Sequence, residues 1–135
     1  MRRMKRSLGF AIEGIIHAFK RERNLRTFLY GYIVVLGCGA YLRLLTWEWL
    51  AIVLCGGIFL STELLNTALE RLTDVIDQNR KIEGGTAYHA GLKAAKDVAA
   101  AASLVSLIMT VVVICIVFVP YIDLNVRVMM QKNGI

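Results

Sequence analysis

Four acids and one amide descend a single short stretch of this chain: Glu63, Asn66, Glu70, Asp74 and Asp77. At 3.6 residues per turn they share one helix face, within about 80° of arc. The residues just before Glu63, 49–62, carry no charge. Glu63 is therefore expected at or just inside the boundary of an apolar layer, where a carboxylate costs about 2.5 kcal/mol or more on insertion scales. A chain that keeps an acid there has a use for it. One use is structural, a polar seam that hydrogen-bonds helices together in lipid. The other is chemical. A deep carboxylate at the apolar edge is suited to taking a proton from a hydroxyl that arrives from the bilayer. Acids nearer the water are suited to a hard divalent cation, which takes oxygen ligands and often needs only one or two carboxylates beside substrate phosphates.

Glu22 stands before the first apolar block, at the same expected level as the acidic stripe, and pairs naturally with Glu70 as a metal-binding couple. A second constellation, Lys93, Lys96 and Asp97, opens the last apolar block, with Tyr88 and His89 one or two turns earlier. A Lys there can bind a phosphate, and an Asp can cap the helix or receive a metal or ribose contact. Alone, this pair would read as a snorkelling Lys beside an ordinary N-terminal Asp. The seam reading gives no reason for Glu22, Lys96 and Asp97 to meet the acidic stripe, and the chemical reading does.

The elements that must position these groups are helices. The chain has 135 residues, 57% of them hydrophobic and 19% charged, with a single Pro. So apolar a chain of this length has too little interior to hide its apolar surface in water. Residues 1–24 are expected to form an amphipathic helix lying in the membrane interface. Leu8, Ile12, Ile15, Ile16 and Phe19 fall within about 100° of arc, opposite Arg6, Glu13 and His17. Three spans follow, at about 25–44, 47–76 (with a cytoplasmic extension) and 97–122. They are separated by a tight turn at 45–48 and a polar linker at 78–87, and a tail occupies 123–135. The uncharged run 27–42 is short against the ~20 residues a span usually needs, and Arg26 and Arg43 can snorkel to extend it. Trp47 and Trp49 suit an interfacial anchor. Cys38, Cys55 and Cys115 lie in separate apolar blocks and read as buried free thiols. The whole is expected to be one all-α membrane domain.

Net charge is +6, and the basic residues flank the apolar blocks, which favours anionic headgroups and phosphorylated substrates over nucleic acid. Residues 1–26 hold Arg2, Arg3, Lys5, Arg6, Lys20, Arg21, Arg23 and Arg26, and the region 71–97 holds Arg71, Arg80, Lys81, Lys93 and Lys96. The first turn has Arg43, and the tail Arg127 and Lys132. The positive-inside rule puts the N-terminus and residues 71–97 in the cytoplasm and the C-terminus outside. The acidic stripe then faces the compartment that holds ATP and Mg²⁺.

Glu22-Arg-Asn-Leu-Arg26, Glu63-Leu-Leu-Asn66-Thr-Ala-Leu-Glu70 with Asp74, Tyr88-His89, and Ala95-Lys96-Asp97 followed by small residues together resemble the prokaryotic diacylglycerol kinase and undecaprenol kinase family, over roughly residues 8–120. Like that family, the chain has no P-loop. The resemblance implies a homotrimer in the bacterial inner membrane, with active sites shared between subunits, that transfers the γ-phosphate of ATP to a lipid alcohol. It implies Glu63 as catalytic base and Glu22 with Glu70 as ligands of the divalent metal. Arg3, Glu22, Asn66, Glu70, Asp74, His89, Lys96 and Asp97 are then expected around ATP, and Glu63, Trp47 and Arg26 near the lipid. Asn24-Leu25-Arg26 and Asn66-Thr67-Ala68 are closer in wording to the undecaprenol-type members than to the diacylglycerol-type ones. A small channel or assembly protein built on an intramembrane polar seam is the competing expectation.

Overall fold

The computed structural model describes residues 2–82 and 90–132, with side chains over 4–81 and 90–123. Every described element is a helix: α1 (Arg2–Arg21), α2 (Arg23–Leu42), α3 (Thr46–Ile82) and α4 (Ala90–Lys132). Three are long and apolar enough to cross a membrane, over Arg23–Leu42, Thr46–Lys81 and Ala90–Asp123. The expected all-α class with three spans holds.

The break between α1 and α2 falls on one residue. Glu22 leaves the helix with φ −90° and ψ 114°, while its backbone N–H still reaches Ala18 O at 2.8 Å. Arg26 stabilises this corner. Its Nη1 donates to Phe19 O (3.0 Å) and Lys20 O (2.8 Å), satisfying carbonyls that α1 leaves open at its C-terminus. A residue expected at the lipid thus serves first as the clasp between α1 and α2.

The turn between α2 and α3 is equally compact. Arg43 adopts the left-handed conformation at φ 56°, and the N–H groups of Arg43 and Leu44 close back on Ala40 O and Gly39 O. These two bonds satisfy carbonyls left open at the end of α2 and offset the strain of a left-handed residue that is not glycine. On the other side Glu48 reaches back to accept the Leu45 N–H at 2.7 Å, which is half of a capping box. Glu48 is buried and also accepts the Tyr121 hydroxyl at 2.7 Å, tying the start of α3 to the far part of α4. Leu44, Ile52 and Val117 form the apolar core at this end, with Tyr32, Trp49 and Val113 packed around it.

Helices α3 and α4 pack along most of their length, and α2 meets α3 over a shorter stretch. Gly56 allows that approach. A Cβ there would run into the ring of Tyr32, whose hydroxyl donates to Ile52 O at 3.0 Å. Tyr32 stacks on Phe28, and Phe28 packs against Phe59 with ring centroids 4.0 Å apart. This aromatic ladder fixes the N-terminal half of α2 against the middle of α3, where Glu63 lies. Cys38 and Cys115 are free but exposed on the chain, and Cys55 is half-buried. The expected burial fails for the first two because most of the apolar surface of α2 and α4 faces away from the chain's own core.

Helix α4 continues through Pro120 to Lys132; the apolar span within it ends at Asp123, close to the expected end near 122, and the tail expected beyond it is helical as far as Lys132. A proline inside a helix removes one backbone donor, and the chain carries the helical geometry past it.

Candidate active site

Two stripes meet where α3 crosses α4. Among the buried residues at this crossing are Ile52, Phe59 and Glu63 on α3 and Ala99, Ser103, Thr110 and Val117 on α4. Spacings of four and seven residues put each set on one helix face. The contact is apolar at the end where Ile52 and Val117 lie and becomes a seam of hydroxyls toward Glu63. Thr110 Oγ1 lies within hydrogen-bonding distance of Cys55 O (3.1 Å) and Ser106 O (2.8 Å). Thr62 and Ser106 share a hydrogen bond at 2.6 Å. One turn further, the Ser103 hydroxyl donates to Glu63 Oε2, and both residues are about 95% shielded, at 5% exposure each.

Beside this pair the chain forms an open cleft of about 460 Å³ between α2, α3 and α4. Its lining sorts by depth. Phe28, Phe59, Leu104 and Leu107 make the apolar end; Arg23, Asn24, Asn66 and Glu70 make the polar end; Glu63, Ser103 and Thr27 lie between them. The sorting follows from direction: α2 and α4 enter the apolar layer from this end while α3 leaves it, so each contributes polar residues at one level. Asn66 Nδ2 donates to Glu70 Oε1 at 3.5 Å, and Asn66 Oδ1 is buried with no partner.

Beyond the cleft, on the C-terminal part of α3, Asp74 is joined to α4 by Lys96 at 2.8 Å. Asp77 is buried and paired with Lys81 at 2.7 Å. Asp97 follows Lys96 on α4 and is exposed. Of the expected site residues, the fold thus brings Glu63, Asn66 and Glu70 to one cleft and couples Asp74 to Lys96 next to it. Glu22, half-buried at the corner between α1 and α2, does not line that cleft. Trp47 does not either; it is exposed in the first turn of α3, about 24 Å along the helix from Glu63 at 1.5 Å per residue. His89 and the Arg3 side chain lie outside the described residues.

The sequence reading missed Arg23, Asn24 and Ser103 as cleft residues. Ser103 had a signal. With Lys96, Ala99, Ser106 and Thr110 it lies on one face of α4 within about 80°, and it is the first hydroxyl after Lys96. Arg23 and Asn24 stand within the Glu22–Arg26 motif, but only the aromatic ladder tells that their side of α2 turns toward α3.

The polar end of the cleft suits a hard cation. It offers carboxylate and amide oxygens, and one of them, Asn66 Oδ1, has no donor to satisfy it. Among the described residues no three His, Cys, Asp or Glu side chains converge as a metal cage. Mg²⁺ does not require one, because substrate phosphates and water complete its shell.

Known proteins carry related sequences. Residues 9–118 match the family described as prokaryotic diacylglycerol kinase. An undecaprenol kinase of Bacillus subtilis is 35% identical over 121 residues, which cover 89% of this chain and 91% of that protein. A diacylglycerol kinase of Synechocystis sp. is 32% identical over 121 residues, 89% of this chain and 65% of that longer protein. With a match over most of its length and a relative of nearly equal extent, this multi-pass membrane chain is a member of the prokaryotic diacylglycerol kinase family.

Proposed function

We propose that this lipid kinase phosphorylates undecaprenol, with Glu63 as general base and Mg-bound ATP at the cytoplasmic end of the α2–α3–α4 cleft. The observation that carries the reading is the position of Glu63, a buried carboxylate at the junction of an apolar and a polar half-cleft. A lipid alcohol that enters along Phe28, Phe59, Leu104 and Leu107 would bring its hydroxyl to that level. Glu63 takes the hydroxyl proton as the oxygen attacks the γ-phosphorus. The bond from that phosphorus to the β–γ bridging oxygen breaks, and ADP leaves with its electron pair. In phosphoryl transfer the protein's work is positioning and charge neutralisation.

Bound through Glu22 and Glu70, a Mg²⁺ ion would supply that neutralisation. Asn66, Asp74, Lys96 and Asp97 hold the nucleotide, with Arg3 and His89 as further contacts. Lys96 then exchanges part of its pairing with Asp74 for phosphate. Glu22 and the Asp74–Lys96 pair do not line the Glu63 cleft within one chain, as expected if a neighbouring copy of a homotrimer completes each site. The large apolar surface left exposed on α2 and α4 supports the same assembly. Helix α1 rests in the interface: Leu8, Ile12, Ile15 and Ile16 are about half exposed or more and would meet lipid there. Trp47 is an anchor at the opposite interface.

The choice of undecaprenol is supported by the relative matched over 91% of its length, which bears that substrate in its name. Purified protein given ATP, Mg²⁺ and either undecaprenol or diacylglycerol should phosphorylate undecaprenol at least tenfold faster at equal mole fraction in the same vesicles. Faster turnover of diacylglycerol would overturn the substrate and leave the site intact.

The proposed orientation has a direct test. In a background with Cys38, Cys55 and Cys115 replaced, a single cysteine at Gln78 should react with an impermeant maleimide only from the cytoplasmic side of inner-membrane vesicles. One at Asp123 should react only from the outside. The reverse pattern would separate the acids from ATP.

A further inference from the structure

We infer that Ser103 is a positioning residue for the reaction, holding the Glu63 carboxylate in the plane and direction from which it accepts the lipid proton. The inference rests on the reading of Glu63 as general base. It begins from a contact between two helices. Ser103 on α4 donates its hydroxyl to Glu63 Oε2 on α3, and both residues are at 5% exposure. They stand together at the middle of the cleft, between its polar and apolar ends.

A glutamate reaches its task through three rotatable bonds, and a base is useful only within hydrogen-bonding reach of the proton it removes. Fixing one carboxylate oxygen with a donor from a rigid neighbouring helix fixes the plane of the group and hence the aim of the second oxygen. Small errors in such aim carry large penalties in rate. A donor to a charged acceptor is also stronger in a low-dielectric, water-poor setting than in water. No other side chain on that part of α4 can replace it. Positions 99–102 are all alanine, and the next two hydroxyls, Ser106 and Thr110, are engaged with Thr62, Cys55 O and the α4 backbone. The seam therefore contains hydroxyls of two kinds. Ser106 and Thr110 stitch helix to helix, and Ser103 alone of the three addresses the base.

The test is a double-mutant cycle on the full-length enzyme in vesicles with ATP-Mg²⁺ and undecaprenol. Ser103→Ala should lower kcat about tenfold, the scale of one lost hydrogen bond to a charged group. The KM for ATP should stay within about twofold, because the nucleotide contacts lie elsewhere. Added to Glu63→Gln, Ser103→Ala should change the residual rate by less than about twofold, since the group it aims is already gone. Ser103→Cys, close in size and a weaker donor, should give an intermediate kcat at an unchanged unfolding temperature, and it carries the cycle if the alanine variant does not fold. Thr110→Val removes a buried hydroxyl of the same seam and should leave kcat within about twofold. Two results would make Ser103 merely structural and overturn the inference. One is a wild-type kcat in folded Ser103→Ala. The other is an equal loss whether Ser103→Ala is introduced into the wild type or into Glu63→Gln. A wild-type rate in Glu63→Gln itself would instead remove the base reading, a separate and recognisable failure.

Discussion

Glu63→Gln should lower lipid phosphorylation by ~10²-fold or more, the usual scale for loss of a general base, while the protein unfolds within a few degrees of the wild type. The amide keeps the shape of the side chain and an oxygen that can still accept the Ser103 hydroxyl, so the α3–α4 seam survives. What disappears is the ability to take a proton. The comparison with Glu63→Ala sharpens the result. Alanine removes base and acceptor together and leaves the buried Ser103 donor unpaired, which costs about 1–3 kcal/mol, so its unfolding temperature should fall where that of Glu63→Gln does not. Initial rates with labelled ATP and thermal unfolding in mild detergent read the two effects separately. If Glu63→Gln turned over lipid at the wild-type rate, Glu63 would belong to the seam alone. The structure gives that reading a foothold, because Glu63 is indeed hydrogen-bonded across the helix pair. A seam residue and a catalytic base are compatible roles, and membership of a kinase family decides that the chain performs chemistry.

Helix class, the number of spans and the acidic face were legible in the sequence because each is a local property. Apolar blocks bounded by charges define spans, and a 3.6-residue period defines a face, without knowledge of any partner. Helix ends were less legible. The first break falls at Glu22 and the second at residues 43–45, where caps and a left-handed Arg43 decide, and such geometry leaves little trace in residue type. Illegible were the contacts that depend on how helices cross. Along the α3 stripe, Asp77 is buried while Asp74 pairs with Lys96 on another helix. Glu48 looked like a turn residue and is a buried acceptor for Tyr121, 73 positions away. Arg23 and Asn24 reach the cleft only because Gly56 admits the Tyr32 ring and the ladder Tyr32–Phe28–Phe59 sets the rotation of α2.

The acids nearer the water should show a different signature from Glu63. Glu22→Ala and Glu70→Ala are each expected to raise the Mg²⁺ concentration for half-maximal turnover at least tenfold and to cut the rate at physiological Mg²⁺ by ~10²-fold. The double variant should be little worse than the more severe single one, because two ligands of one ion do not contribute independently. The two acids start from unlike places. Glu70 is on the cleft beside Asn66, whereas Glu22 is at the one-residue corner between α1 and α2, where its backbone makes the hydrogen bonds that shape the turn. Coupling between them would therefore also report that subunits complete each other's sites. A ligand that binds only the folded protein stabilises it by RT ln(1 + [L]/Kd), about 2.7 kcal/mol at a hundredfold excess over Kd. Saturating ATP-Mg²⁺ should accordingly raise the unfolding temperature of the wild type, and that rise should shrink in either single variant. Strict additivity of the two substitutions, with unchanged Mg²⁺ titrations, would divide the pair and end the shared metal site. A preserved thermal shift with a lost rate would keep the nucleotide where it is proposed and move the two carboxylates from binding the metal to the transfer step itself.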